Sequence, residues 1–223
     1  MNSLSLRSAS VSLLVGFILL ATSASQAATT IVDYTVNGTI PDNNPTGYAD
    51  NRVIISSPVA SITSVEVRLI VSGGWNGDLY AHLSHSSGFS VLLNRPGKTS
   101  LSTVGSSSSG FNVTFSDDAF DDIHTLIPGS GLVTGYWQPD AREIDPDLVV
   151  DTDPRTAYLS SFQGLSANGT WTLFVADNSA GDESTLVSWG LTILGTPEPS
   201  RAVLLMFGMA GWVMRRVRRR VEG

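Results

Sequence analysis

From Ile62 to Ser72 the chain reads ITSVEVRLIVS, and every second residue from Val65 to Val71 is apolar. A strand that buries one face and wets the other has this period, because successive side chains leave opposite faces of the pleat. The alternation returns at Phe111–Ser116, with Phe111, Val113 and Phe115 on one side. It returns again at Gly169–Asp177, with Trp171, Leu173 and Val175, and at Thr185–Leu194, with Val187, Trp189, Leu191 and Ile193. Shorter runs at Thr30–Val36, Arg52–Ser56, Asp78–Ser84 and Ser90–Asn94 predict four more strands. Turn signals separate them, among them Asn43-Asn44-Pro45, Gly73-Gly74, Asn76-Gly77, Arg95-Pro96-Gly97 and Asn168-Gly169. No amphipathic helix of useful length interrupts the pattern. Eight short strands with regular turns predict an all-β fold, an antiparallel β-sandwich of jelly-roll type. Ser100–Gly110 (SLSTVGSSSSG) is low in complexity and is expected to be a mobile loop.

Both ends depart from this pattern. Arg7 precedes an apolar run from Val11 to Ala21, and small residues around Ser25 and Ala27 follow, as in a secretory signal peptide cut after Ala27 or Ala28. Eleven apolar residues fall short of the roughly 20 needed to span a bilayer. At the other end, Pro197-Glu198-Pro199 leads into an apolar run from Ala202 to Met214, expected to be a helix, which stops at Arg215, Arg216, Arg218, Arg219 and Arg220. A cationic plug of this kind stays on the cytoplasmic side, so everything before it faces away from the cytoplasm. The order Pro-Glu-Pro, apolar helix, arginine cluster resembles the PEP-CTERM sorting signal of Gram-negative bacteria. That resemblance implies an exosortase partner, transient inner-membrane anchoring through the helix, and release to the cell surface or beyond. The sequence thus divides into a signal peptide (1–27, met by signal peptidase), one sandwich domain (28–196) and a sorting segment (197–223).

Removing both ends sharpens the charge. Residues 28–196 keep six basic and eighteen acidic side chains, a net charge of −12. Such a surface repels phosphate backbones, which excludes nucleic acid as a partner and leaves divalent cations open. The chain has no cysteine, so disulfides, thiol catalysis and thiolate metal sites are excluded. A domain of roughly 170 residues folds without them, burying about 70% of its chain's surface.

The carboxylates are the candidates for chemistry. Asp117, Asp118, Asp121 and Asp122 crowd into six residues, and Asp177 and Asp182 flank another acidic turn. Crowded carboxylates suit Ca²⁺, which takes six to eight oxygen ligands, or form a solvated turn in which Asp accepts backbone amides. The run Asp140, Glu143, Asp145, Asp147, Asp151 and Asp153 lacks the order of an EF-hand loop and is read as solvated. His82, His85 and His124 are read as surface or rim residues, with no nucleophile segment beside them. Trp171 and Trp189 alternate with core residues, whereas Trp75 and Trp137 sit in loops where a ring could stack on a sugar.

Four phrases carry a second resemblance: Gly77-Asp78-Leu79-Tyr80-Ala81-His82-Leu83; Leu92-Leu93-Asn94-Arg95-Pro96-Gly97; Phe115-Ser116-Asp117-Asp118-Ala119; and Gly169-Thr170-Trp171-Thr172-Leu173 with Asp177, Gly181-Asp182 and Trp189-Gly190-Leu191. In this order they resemble the P domain of proprotein convertases (P/Homo B) over about residues 40–194. Ser184 stands where a glycine is expected and Gly190 where serine is common. The resemblance implies a jelly-roll sandwich that supports a subtilisin-like protease, and the chain has no room for the protease itself. The expected function is therefore a non-enzymatic surface or matrix protein, with exopolysaccharide as a partner by analogy. The alternatives are an accessory P domain docking on a separate protease, or a glycan-binding sandwich.

Overall fold

The computed structural model describes residues 27–127, 129–198 and Trp212. The expected signal peptide, and the sorting segment beyond Glu198 apart from Trp212, lie outside the described residues. No helix among the described residues is long and apolar enough to cross a membrane.

Nine strands form two sheets. They are β1 (Ala28–Ile40), β2 (Asn44–Ile54), β3 (Val59–Gly73), β4 (Leu79–His85), β5 (Gly88–Asn94), β6 (Phe111–Phe115), β7 (Val133–Trp137), β8 (Gly169–Asp177) and β9 (Ser184–Pro197). The five-stranded sheet runs β1-β9-β3-β6-β7 and the four-stranded sheet β2-β8-β4-β5. All pairings are antiparallel except β6 with β7. Strands β1 to β4 alternate between the sheets, so the core is assembled from contacts distant in sequence.

The expected alternation builds that core. Val65, Val67, Leu69 and Val71 of β3 face inward, opposed by Leu79, Ala81 and Leu83 of β4 and by Trp171, Leu173 and Val175 of β8. Each large apolar side chain moved fully out of water contributes about 1.5–3 kcal/mol. Trp171 and Trp189 are fully buried, and both indole N–H groups are satisfied: Trp171 donates to the Ala167 carbonyl (3.0 Å) and Trp189 to Asp50 Oδ2 (2.7 Å).

Four details differ from the sequence expectation. The β9 register slips between Ile70 and Val71 of its partner β3, so Leu186 takes the buried place expected for Val187. A bulge of one residue turns a strand's alternation over at that point. Strand β7 was not foreseen; it is a parallel edge strand, four of its five residues are not buried, and Gly135 interrupts it at φ +113°. Pro45 lies inside β2, and the connection from β1 turns before it. The serine-rich loop is anchored at many points. Gly77 donates to the Ser106 carbonyl (2.9 Å), Ser106 to the Pro96 carbonyl (2.7 Å) and Asn76 to the Ser108 carbonyl (2.9 Å). The Asn76 amide also clamps Gly110 in both directions, at 2.7 and 3.0 Å. Small side chains let this backbone lie close, and Ser106 and Ser108 are buried.

Candidate functional site

The loops between β5 and β8 meet in a buried polar hub. Asp122 starts a 3₁₀ turn over Ile123–Thr125 by accepting the His124 amide (3.0 Å). His124 is then held with Nδ1 2.6 Å from Asp140 Oδ2 and Nε2 2.7 Å from the Lys98 carbonyl oxygen. Asp140, with a side chain 0% exposed, also accepts the amides of Asn94 (3.2 Å) and Arg142 (3.4 Å) and the Arg142 guanidinium (3.2 Å). Arg142 bridges onward to Asp122 Oδ2 (2.9 Å) and the Asp151 carbonyl (2.8 Å). Arg155 closes the assembly with bonds to the Asp140 carbonyl (3.0 Å), the Pro139 carbonyl (2.7 Å) and Gln138 Oε1 (2.8 Å). Burial alone works against a charged His124 ring. The hydrogen bond and charge of Asp140 outweigh it, and the net displacement is upward.

An Asp–His pair invites comparison with a hydrolase triad, in which the second ring nitrogen faces a nucleophile. Here Nε2 is spent on a backbone carbonyl. His85 is committed in the same way, with Nδ1 2.9 Å from the Thr170 carbonyl oxygen and Nε2 2.8 Å from that of Ser166, while its ring stacks on Trp171 at 4.1 Å. His82 lies between Phe89 and Phe174, at 5.0 and 4.9 Å, and burial holds it toward the neutral form. Among the described residues no serine hydroxyl bonds a histidine ring. The expectation of surface histidines is corrected: His85 and His124 are buried, the first as the stacked end of β4 and the second as the centre of the hub.

The acidic residues separate by role. Asp117 accepts the Leu159 and Ser160 amides (3.0 and 2.7 Å), starting a second 3₁₀ turn, and Asp122 pairs with Arg142. Asp118 and Asp121 are exposed. At the end of the sandwich where β4 and β8 meet, Asp177 is buried and accepts the Ser179 amide (3.1 Å). Burial, with Asp42 nearby, raises its pKa. Asp78 is pushed up to about 6, chiefly by burial and despite its pair with Arg95 (3.2 Å). Asp182 is exposed. Among the described residues no three His, Asp or Glu side chains stand close enough together to hold a metal ion. Asp140, read from sequence as part of a solvated run, is the most buried carboxylate of the hub; nothing in its local pattern marks it, because its partners lie in other loops.

Trp75 and Trp137 do not form one site, and the expectation of two loop tryptophans is corrected for Trp137, which lies in a strand, partly buried against the core. Trp75 follows β3 and donates to the Val104 carbonyl (3.0 Å), whereas Trp137 ends β7 opposite Phe115 and donates to the Thr134 carbonyl (3.1 Å). Pro197 is the last residue of β9, and the Glu198 amide donates to the Pro58 carbonyl (3.3 Å).

A family model described as the proprotein convertase P-domain matches residues 146–193. The match covers the Gly169–Leu191 phrases, and the three earlier phrases lie outside it. Among solved structures, the chain is similar to the serine protease of Aeromonas sobria in complex with the chaperone ORF2. There the identity is 16%, the TM-score 0.45, and the alignment covers 78% of this chain and 28% of that one. The same protease without the chaperone gives 17% identity, a TM-score of 0.43, and coverage of 76% and 27%. The chain therefore spans under a third of those proteins. No curated protein matches it.

Proposed function

We propose that this chain is an exported, non-enzymatic module of P-domain type that docks on a separately encoded subtilisin-like protease and stabilises it. The observation that carries the reading is the use of the titratable groups. His85 and His124 each have both ring nitrogens on acceptors, and Asp117, Asp122 and Asp140 are engaged by amides and guanidiniums. Chemistry of this kind builds a rigid scaffold, in which none of these five side chains is free to act as a general base. The family match over residues 146–193 supports the P-domain assignment, and the strand order supports a jelly roll with β7 added at one edge. Signal peptidase would release the N-terminus, and an exosortase acting at Pro197-Glu198-Pro199 would free the domain from the inner membrane to the cell surface or medium.

The test is direct binding. Each subtilisin-like protease encoded in the same genome is mixed with the purified chain, and its melting temperature is followed. A partner held at micromolar affinity and saturated a hundredfold gains about 2.7 kcal/mol, a shift readily measured. If no protease melts higher with the chain present, the accessory role is wrong. The reading as a free-standing surface or matrix protein then takes its place, supported by the sorting segment.

A further inference from the structure

The outward face of the five-stranded sheet carries one row of residues that crosses every strand. Register places Asp33 of β1 opposite Gly190 of β9, Gly190 opposite Arg68 of β3, Arg68 opposite Thr114 of β6, and Thr114 opposite Tyr136 of β7. Two bridges span the row. Arg68 Nη2 reaches over Gly190 to Asp33 Oδ1 at 2.9 Å, and the Tyr136 hydroxyl donates to Glu66 across the strand that carries Thr114. A groove of about 190 Å³ lies here, bounded by Ile31, Asp33, Glu66, Arg68 and Thr114 and floored at Gly190. Glycine keeps the floor open. A Cβ at position 190 would collide with Asp33 Oδ1 and stand 2.7 Å from the Val32 carbonyl oxygen.

The lining selects against charged ligands. An anion entering the groove meets Asp33 and Glu66, and a cation meets Arg68. A neutral group bearing adjacent hydroxyls satisfies both signs, donating to a carboxylate while accepting from the guanidinium. Donor and acceptor 2.9 Å apart suit vicinal hydroxyls on one ring. The Asp33 and Arg68 side chains are 59% and 46% exposed, so both retain capacity for a ligand. Five strands at about 4.8 Å spacing make the row about 19 Å wide, room for several sugar units in line. Ile31 and the Tyr136 ring, both exposed, offer apolar surface to the C–H faces of sugar rings. A peptide cannot add here as a strand, because β9, β3 and β6 are paired on both edges.

We propose that this face binds a linear neutral glycan laid across the strands, with Asp33 and Arg68 gripping vicinal hydroxyls above Gly190. The groove is lined by neither Trp75 nor Trp137 and does not depend on a protease partner. The isotope-labelled full chain is titrated with cellohexaose, xylohexaose and mannohexaose, each to about 10 mM, following backbone amide shifts. At least one should shift the amides of Arg68, Gly190 and Tyr136 in a saturable way. The double variant Asp33→Ala/Arg68→Ala should weaken that binding about tenfold or more, as should Gly190→Ser, whose side chain fills the floor; Val53→Ser on the other sheet should not. Inorganic phosphate and spermidine should leave these amides unmoved. The proposal is overturned if none of the three glycans moves them, if the shifts map to Trp75 or Trp137 instead, or if a folded groove variant binds like the parent chain.

Discussion

Replacing Asp140 by Asn isolates the charge at the centre of the hub while keeping its shape. The carboxylate accepts from His124, Asn94 and Arg142, and both its side chain and that of His124 are wholly buried. Asparagine leaves one acceptor oxygen and sets an NH₂ group against a neighbouring donor. Removing one partner of a buried ionic network costs about 3–5 kcal/mol, since the remaining charge stays buried without its counterion. For a domain of this size that corresponds to a melting point lowered by roughly 6–20 °C. The pH dependence has a definite sign. His124 titrates above its ordinary value in the folded state, because the Asp140 bond and charge overcome the opposing effect of burial. Its contribution is therefore fully present below about pH 6.5 and fades as pH rises through the folded value. The gap between parent and Asp140→Asn should be widest near pH 5–6 and narrower at pH 9. Thermal melts by circular dichroism across this range decide the matter. A loss under about 2 °C, or a gap that ignores pH, would refute the ionic account of the hub.

Asp78 gives a second pH signature: its folded pKa is raised to about 6, so the fold favours the protonated form. Its own contribution to stability should fall by about 3 kcal/mol as pH rises from 3.8 through 6, so denaturant titrations at pH 4 and 7.5 should show Asp78→Asn gaining on the parent at the higher pH. Asp117→Asn should cost about 1 kcal/mol without any added metal, by weakening the cap on Leu159 and Ser160, whereas Asp118→Asn should stay within about 0.5 kcal/mol. Ca²⁺ ligation at this turn is therefore tested with Asp118→Asn/Asp121→Asn: an ion bound there would raise the parent's melting point by roughly 5–10 °C at a hundredfold excess over Kd and leave the double variant unmoved, and no rise in the parent, or equal responses, would end the idea. Mass spectrometry of the exported form should find an N-terminus near Ala28 and a C-terminus at or beyond Pro197, because β9 is paired as far as Pro197 with Val59; intact Arg218–Gly223 in that form would rule out removal of the tail.

The sequence made the sandwich visible wherever one strand face is dry and the other wet. In β3, β6 and β8 the alternation reports burial directly, and Trp171 and Trp189 fall where it places them. Strand β7 left no such trace, because an edge strand with Gly135 at its centre has little dry face to show. The hub was hidden for a different reason. His124 and Asp140 stand 16 residues apart in irregular loops, and only the path of the backbone brings them to 2.6 Å. An aspartate in a strongly acidic run reads as solvated, and the neutralising partners, Arg142 and Arg155, look like ordinary surface charge. The groove row was likewise invisible, because register is a property of pairing between strands and each of its five residues comes from a different one.

The placement of the chain ends bears on how these features could be used. Ala28 is paired with Gly195, and Val59 with Pro197, so both termini of the described fold leave from one end of the five-stranded sheet. The turns that hold Asp78, Asp177 and the Asn76–Gly110 clamp lie at the other end, where β3 reaches Gly73 and β4 begins at Leu79. The Asp33–Tyr136 row lies between these two ends, on the flank of the sheet and partway along the strands. That geometry separates two uses of one domain. A protease bound at the Gly73 end would leave the flank free, so that a glycan on the row and a protein at that end could be held together. Competition between a saturating protease and a bound hexasaccharide would show instead that the protease covers the row itself.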